Sequence, residues 1–249
     1  MGRNTVNAIV VAAHPDDEVV GAAIWLYRHR GSDVHIIHIT DGSPRDMHDA
    51  RTLGFATRQE YAEARRDELK EALTLVGISE ERCINLALPD KEAYLHLPVL
   101  IDQIGTIVDS LKPQVVLSPA YEGGHPDHDA AAFAVAALTR RRVGFAHREY
   151  PLYHAGADGG MVTGTFVEQG LGAEEVIVLT PAERTIKRKM MYCFRTQQKI
   201  LSHFFLKDER FRDAPAYDFS KPPHSGTLLY ELWGWGISGG QWRLEATRA

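Results

Sequence analysis

Short apolar runs and longer stretches of helical periodicity alternate along most of this chain. The apolar runs are typical of buried strands, whereas apolar residues spaced three and four apart predict amphipathic helices. The predicted strands are residues 8–13, 34–40, 83–88, 114–120, 149–154 and 175–180. The predicted helices are residues 18–29, 58–76, 99–111 and 129–138. This alternation predicts an α/β fold, in which a mostly parallel sheet carries helices on both faces.

Three segments depart from this alternation. Residues 42–57 are polar and residues 155–172 are rich in glycine, and connections of this length are often functional. From about residue 207 the chain is rich in proline, glycine and aromatic residues. In that part Trp233 and Trp235 alternate like strand residues, and we favour packing over sugar stacking as their role. We expect residues 1–249 to form a single domain that includes this C-terminal segment.

Two tetrapeptides in the chain nearly repeat each other. His-Pro-Asp-Asp occupies residues 14–17, and His-Pro-Asp-His occupies residues 125–128. Each lies between an apolar run and a helical pattern, and Pro15 and Pro126 suit the first position of a helix. The carboxyl ends of parallel strands meet at one edge of a sheet, where ligands bind. The sequence therefore predicts that three histidines and three carboxylates come together at this edge.

Such a set of side chains is suited to metal-dependent hydrolysis. A catalytic zinc needs three protein ligands and an open position for water. His14 and Asp17 are three residues apart across a strand end and a first helical turn, so both can converge on one ion. A histidine of the second tetrapeptide completes the set, and Asp16 remains as a base. The alternative is that the acidic residues serve only the helix dipole and the helix caps.

Further short motifs accompany the two tetrapeptides in a fixed order. They are Thr40-Asp41-Gly42, Arg65-x-x-Glu68, Leu88-Pro89-Asp90 and Arg195-Thr196-Gln197. Together with the tetrapeptides they resemble the signature of the PIG-L/LmbE-like zinc-dependent N-acetylglucosaminyl deacetylases, and the resemblance covers most of the chain. It implies a Rossmann-like fold and a catalytic Zn²⁺. It also implies hydrolysis of the N-acetyl group of an N-acetylglucosamine-type amino sugar, with release of acetate and a free amine.

The same resemblance implies a role for each residue of the reacting centre. His14, Asp17 and His128 would be the metal ligands, and Fe²⁺ or Co²⁺ would suit them as well as Zn²⁺. Asp16 would be the general base. His125 would polarise the carbonyl oxygen and protonate the leaving amine. The alternatives for His125 are a fourth ligand or a structural imidazole.

Other roles follow from the resemblance for residues around this centre. Asp127 would orient a neighbouring histidine, and Arg65 and Asp90 would hold sugar hydroxyls. The alternative for Arg65 is a surface ion pair with Glu68, and the alternative for Asp90 is a cap on the next element.

One position departs from the pattern of some relatives. They carry a tyrosine two residues before the histidine of the second tetrapeptide, whereas Gly123 stands there in this chain. The nearest tyrosine is Tyr121.

Composition narrows the class of protein further. The net charge of −5 provides no basic surface for nucleic acid, and we expect the basic clusters at residues 140–142 and 187–189 to be solvated helix ends or faces. Cys83 and Cys193 are expected to be reduced core thiols. Residues 1–5 run straight into the first strand, with no signal peptide and no membrane span, so we expect a cytoplasmic protein.

The leading hypothesis is therefore a zinc-dependent deacetylase that acts on a small amino-sugar substrate. One alternative is an amidase that removes a larger acyl group from an aminosugar conjugate. Another is a sugar- or metal-binding module without catalysis, although such a module needs neither Asp16 nor His125. The apolar C-terminal segment allows self-association into a homo-oligomer.

Overall fold

The computed structural model describes residues 6–142, 144–167 and 172–249. The strands are β1 (Asn7–Ala12), β2 (Asp33–Pro44), β3 (Cys83–Asp90), β4 (Val115–Pro119), β5 (Ala146–Tyr150), β6 (Tyr153–Ala155), β7 (Met161–Thr163), β8 (Glu175–Val178) and β9 (Asp208–Asp213). The helices are α1 (Asp17–Arg28), α2 (His48–Thr52), α3 (Arg58–Thr74), α4 (Leu97–Leu111), α5 (Pro126–Arg141), α6 (Pro181–Cys193), α7 (Gln198–Leu201), α8 (Leu229–Leu232) and α9 (Gly239–Arg248). The prediction that residues 1–5 run straight into the first strand falls outside the described residues. So do residues 168–171 of the glycine-rich connection.

Within the described residues, seven strands form one sheet in the order β3-β2-β1-β4-β5-β9-β8. The ladders from β3 to β5 are all parallel, and β9 pairs antiparallel with both β5 and β8. The chain therefore has the predicted α/β, Rossmann-like architecture with a mostly parallel sheet. The strand order reverses at β1, whose neighbours are β2 and β4, and such a reversal opens a crevice at the strand carboxyl ends.

Helices cover both faces of the sheet, as the alternation of elements predicts. On one face Ala8 and Val10 of β1 belong to a core shared with α1, α3 and α6. On the other face Ile9 and Val11 belong to a core shared with α4, α5 and α9. Successive side chains of a strand point to opposite faces, so a strand that is buried on both sides is apolar throughout. None of the described helices has the length and apolar character needed to cross a membrane.

The prediction of a single fifth strand is wrong, because the segment belongs to two separate strands. Residues 149–154 contain the end of β5 and the start of β6, and β6 pairs with β7 in a separate two-stranded sheet. Pro151 stands between them. Proline has no N–H to give to a ladder, so it ends β5 and allows the chain to leave the main sheet.

The two long connections and the C-terminal segment contain more structure than the sequence predicts. The polar connection at 42–57 includes the end of β2 and the whole of α2, and the glycine-rich connection includes β7. The C-terminal segment contributes β9, α8 and α9. Trp233 and Trp235 follow α8 and lie outside any strand, next to Gly234 and Gly236 with φ of +67° and +78°.

The C-terminal segment is attached to the start of α5 by one buried indole. Trp242 of α9 is fully buried, and its Nε1 donates to the carbonyl oxygen of Pro126 at 3.0 Å. Its ring also stacks on Tyr121, with 5.5 Å between the ring centroids. This contact connects the last helix directly to the helix that carries the second tetrapeptide.

A break within α1 explains an ion pair that the sequence does not predict. Ala22 has φ −143° and ψ 20°, which are not helical values. In a regular helix the Ile24 N–H would bond to the Val20 carbonyl. Here the Ile24 N–H donates to Glu209 at 2.8 Å, and the Val20 carbonyl accepts from Lys187 at 2.7 Å.

The two charged side chains at this break also bond to each other. Lys187 Nζ lies 2.8 Å from Glu209 Oε1, and each residue is only 3% exposed. The prediction that residues 187–189 form a solvated face is therefore wrong for Lys187. Its ammonium group is buried because it satisfies a helix carbonyl and the carboxylate of β9 together.

We expect Glu209→Ala to lower the free energy of unfolding by about 3–5 kcal/mol, because it leaves the buried Lys187 charge without a counter-ion and the N–H groups of Ile24 and Trp25 without an acceptor. Urea denaturation measures this change. The matched control is Lys70→Ala, which removes an exposed pair with Glu80 and should leave the free energy of unfolding nearly unchanged. Equal losses in the two variants would contradict the structural role of the buried pair.

Candidate functional site

The first tetrapeptide forms a tight turn between β1 and α1. The His14 carbonyl accepts the N–H of Asp16 at 2.9 Å, and the Asp17 carboxylate accepts the N–H of His14 at 2.8 Å. Because of this turn, α1 begins at Asp17 and not at the Pro15 position favoured by the sequence. The turn brings the imidazole of His14 and the carboxylate of Asp17 together at the carboxyl end of β1.

The second tetrapeptide begins α5, with Pro126 at the first helical position as predicted. His125 precedes the helix, and its Nδ1 accepts the N–H of Asp127 at 3.1 Å. The neutral His125 ring therefore carries its proton on Nε2, which lies 3.3 Å from Oδ1 of Asp90. Burial, followed by the proximity of His14, lowers the pKa of His125 to about 4. His125 is thus a neutral hydrogen-bond donor at neutral pH.

Three side chains converge between the two tetrapeptides. Nδ1 of His14 and Nε2 of His128 are 3.3 Å apart. One oxygen of Asp17 lies 3.3 Å from that Nδ1, and its other oxygen lies 3.2 Å from that Nε2. Burial alone would raise the pKa of the Asp17 carboxyl, but His128 and His14 hold it well below its usual range.

These separations suit a tetrahedral metal ion. With bonds of about 2.0–2.1 Å, any two ligands of such a zinc lie about 3.3–3.4 Å apart. His14, Asp17 and His128 are 6%, 5% and 3% exposed, so an ion at their centre would be shielded from bulk water. One ring nitrogen from each of His14, His125 and His128 lies within 4.8 Å of the other two, and ligand atoms of His14, Asp90, His125 and Asp127 meet the same limit, so this cluster of imidazoles and carboxylates could hold a metal ion.

Two further carboxylates face the other nitrogen of His14. Its Nε2 lies 3.1 Å from Asp90 and 3.3 Å from Asp127. Asp127 is fixed in turn by the backbone N–H groups of Lys91 and Ala93, at 2.6 Å and 3.0 Å. A histidine that binds a metal through one nitrogen commonly donates from the other to such a carboxylate. Asp127 thus lies where the sequence places a histidine-orienting residue.

Asp90 lies closer to the histidines than a purely sugar-binding role requires. Its Oδ1 faces both His14 and His125, at 3.1 Å and 3.3 Å. Burial opposes ionisation, but the two histidines hold the pKa of Asp90 well below its usual range. The capping alternative is wrong, because the next helical turn is preceded by Glu92.

Asp16 is held by the guanidinium group of Arg65. Nη2 of Arg65 donates to the Asp16 carboxylate at 3.0 Å, and Nη1 donates to the Gly42 carbonyl at 2.6 Å. Burial raises the pKa of Asp16 to about 7, although the Arg65 cation acts in the opposite direction. A carboxylate with a pKa near neutrality is suited to accept a proton at physiological pH.

The alternative prediction of a surface ion pair between Arg65 and Glu68 is wrong. Arg65 is only 4% exposed, and Glu68 accepts hydrogen bonds from the backbone N–H and the hydroxyl of Thr196, at 3.0 Å and 2.6 Å. Gly42 has φ +66°, and a Cβ there would lie 2.3 Å from Arg65 Nη1. The Thr-Asp-Gly motif therefore leaves room for the guanidinium beside Asp16.

The converging groups open into a cavity of about 670 Å³. Sequence reasoning did not assign its aromatic residues to the site. Tyr153 packs against His128 and Trp235 packs against His125, with ring centroids 5.1 Å and 4.7 Å apart. No local signal identifies them, since they come from the β6 hairpin and the C-terminal segment. Trp235 and Trp233 both line the cavity, so sugar stacking stays open beside the packing role that the sequence favours.

Tyr121 takes no part in this site. Its ring is buried and its hydroxyl donates to the Lys221 carbonyl at 2.9 Å. The Gly123-Gly124 pair before His125 instead permits the approach of β6, because a Cβ on Gly124 would lie 1.8 Å from the Tyr153 carbonyl oxygen. Tyr153 of β6 in this way contacts the candidate metal ligand His128.

Known proteins share both the sequence pattern and this fold. A probable N-acetyl-alpha-D-glucosaminyl L-malate deacetylase 2 of Bacillus anthracis is 33% identical over 142 residues, which are 54% of this chain and 59% of that protein. A 1D-myo-inositol 2-acetamido-2-deoxy-alpha-D-glucopyranoside deacetylase 2 of Catenulispora acidiphila is 27% identical over 148 residues, 51% of this chain and 49% of that protein. The matches thus span less than two thirds of these curated relatives.

The likeness extends to solved structures. A deacetylase of the teicoplanin biosynthesis pathway superimposes with a TM-score of 0.67, covering 82% of this chain and 96% of the other at 17% identity. That similarity shows a shared fold. The family profile of PIG-L, the GlcNAc-PI de-N-acetylases, matches residues 9–139, which include both tetrapeptides and more than half of the chain. This chain belongs to the PIG-L family.

Proposed function

We propose that this protein is a metal-dependent N-deacetylase that hydrolyses the acetamido group of an N-acetylglucosamine-type amino sugar to acetate and a free amine. The observation that carries the proposal is the convergence of His14, Asp17 and His128 beside the buried carboxylate of Asp16. Nδ1 of His14 and Nε2 of His128 are 3.3 Å apart, and each lies 3.2–3.3 Å from a different oxygen of Asp17. The names of the relatives in Bacillus anthracis and Catenulispora acidiphila support the same chemistry and an acetylated amino sugar as substrate.

His14, Asp17 and His128 would hold the ion, and their spacing favours zinc, although Fe²⁺ and Co²⁺ suit the same ligands. When bound, zinc supplies Lewis acidity that polarises the amide carbonyl and makes a nearby water more acidic. Asp127 and Asp90 accept from Nε2 of His14, which fixes the ring with Nδ1 toward the ion. Both nitrogens of His125 already have partners, which favours a role other than fourth ligand.

Side chains around the metal site would carry out the proton transfers of the hydrolysis. Asp16 accepts the proton of the water that attacks the acetamide carbonyl, and Arg65 keeps its carboxylate oriented. When substrate is bound, Nε2–H of His125 would exchange its bond to Asp90 for one to the carbonyl oxygen, where negative charge develops. The proton on Asp16 is then available to the nitrogen of the leaving amine. Asp90 keeps His125 and His14 in register and lines the cavity where sugar hydroxyls would lie.

The proposal also covers the number of domains, the kind of substrate, the location and the oligomeric state. We propose one domain across residues 1–249, which the buried contact of Trp242 with Pro126 supports. The substrate is a small molecule that contains an amino sugar. The cytoplasmic location and the homo-oligomer stay predictions.

We expect zinc-loaded protein to release free amine from N-acetylglucosaminides, and chelator treatment to abolish this release. Asp16→Asn should lower kcat by about 10²–10⁴-fold, because an amide cannot accept the proton. Amine release measured with a fluorogenic amine reagent gives both results. Equal turnover with and without the chelator would contradict a metal-dependent mechanism.

We expect His14→Ala and His125→Ala to fail in different ways. His14→Ala should lose the metal, because it removes a ligand. His125→Ala should retain the metal and lose roughly a hundredfold or more of kcat, because it removes a hydrogen-bond donor to the developing oxyanion. Metal content after gel filtration, measured by mass spectrometry, separates the two. Metal loss from the His125 variant alone would reverse the assignment.

We expect Arg65→Ala to lower kcat with little change in KM, because Arg65 orients Asp16. The exposed neighbour Arg66 offers the matched control, and Arg66→Ala should behave like the wild type. Steady-state kinetics on one N-acetylglucosaminide, together with metal content, measure these effects. A rise in KM at unchanged kcat would instead assign Arg65 to sugar binding.

A further inference from the structure

Four aromatic side chains form a continuous surface that begins at the candidate metal site, and we call it the aromatic wall. It consists of Phe204, Tyr153, Trp233 and Trp235. Successive ring centroids along it are 6.2, 6.0 and 5.2 Å apart. All four residues line the cavity.

The aromatic wall has both buried and solvent-exposed members. Tyr153, which contacts His128, is 8% exposed, whereas its neighbour Trp233 is 40% exposed. Leu53 also lines the cavity and is 47% exposed. Apolar side chains of this size gathered at a cavity mouth are typical of a binding surface. The sugar-binding groups of the reacting centre do not account for them.

The size of the cavity also exceeds the needs of a single amino sugar. A volume of about 670 Å³ falls within the range of roughly 300–1,000 Å³ that encloses drug-sized ligands. The reacting amide must lie beside His14, Asp17 and His128, where the side chains are buried. Trp233, the exposed member of the wall, is therefore reached by a part of the substrate that is far from the amide.

We infer that the aromatic wall binds an apolar group carried on the anomeric oxygen, so that the substrates are N-acetyl amino-sugar glycosides with an aromatic or similarly large apolar aglycone. This inference rests on the proposed deacetylase function. A large acyl group on the nitrogen is the competing occupant. The aglycone is favoured because the relatives in Bacillus anthracis and Catenulispora acidiphila are named as deacetylases, which remove a small acyl group.

Three substrates separate these occupants when assayed with zinc-loaded protein. They are methyl N-acetylglucosaminide, 4-nitrophenyl N-acetylglucosaminide and methyl N-benzoylglucosaminide, each tested as both anomers. We expect kcat/KM for free-amine release to be at least about tenfold higher for the 4-nitrophenyl glycoside than for the methyl glycoside, because an aromatic ring leaves water on binding. Equal values for these two, or a preference for the N-benzoyl compound, would overturn the inference.

A pair of variants assigns this preference to the wall. Trp233→Ala should reduce the ratio of the two kcat/KM values at least fivefold. Tyr192→Ala is the matched control, since Tyr192 on α6 is 64% exposed and is not one of the cavity-lining residues. It should leave the ratio unchanged. A ratio that both variants leave unchanged would also overturn the inference.

A binding measurement tests the wall without turnover. Calorimetry on metal-free protein compares the two deacetylated products, 4-nitrophenyl and methyl glucosaminide. At least about tenfold tighter binding of the aryl compound supports the wall, and equal binding overturns it. If no amine is released from any substrate while the aryl compound still binds more tightly, the deacetylase proposal fails and the apolar subsite stands.

Discussion

β1 forms parallel ladders with β2 on one side and with β4 on the other. The chain leaves β1 and β4 toward opposite faces of the sheet. α1 follows β1 into one core, and α5 follows the loop after β4 into the other. The crevice between the two departures is where His14, Asp17 and His128 meet, although the histidines are 114 residues apart along the chain. Neither tetrapeptide could form the site alone, so the site depends on the pairing that brings the two together.

Charge balance decides how the groups in that crevice are arranged. Several carboxylates lie in the interior beside the histidines, and three of them also have a partner other than an imidazole ring. Asp17 accepts the N–H of His14, Asp127 accepts those of Lys91 and Ala93, and Asp16 is held by Arg65. Because these bonds exist before any substrate binds, the polar groups are already oriented for the reaction. A buried carboxylate without such partners would lose its charge by taking up a proton.

Local signals in the sequence predicted the parts of this arrangement that depend on neighbours along the chain. The strand ends, the start of α5 and the grouping of the two tetrapeptides follow from apolar runs, Pro126 and strand order. The bond from Arg65 to Asp16, the position of Asp90 between two histidines and the burial of Lys187 depend on contacts between distant elements. No periodicity encodes such contacts, so an ion pair along α3 and a solvated basic face were reasonable but wrong expectations.

The aromatic wall has a consequence for how this protein could diversify. Every residue of the proposed reacting centre lies within residues 9–139, the stretch that the PIG-L profile matches. Tyr153, Phe204, Trp233 and Trp235 all lie beyond it. The proposed chemistry and the inferred selectivity thus depend on successive parts of the chain. A change in the later part can alter the aglycone that is bound and leave every residue of the proposed reacting centre in place.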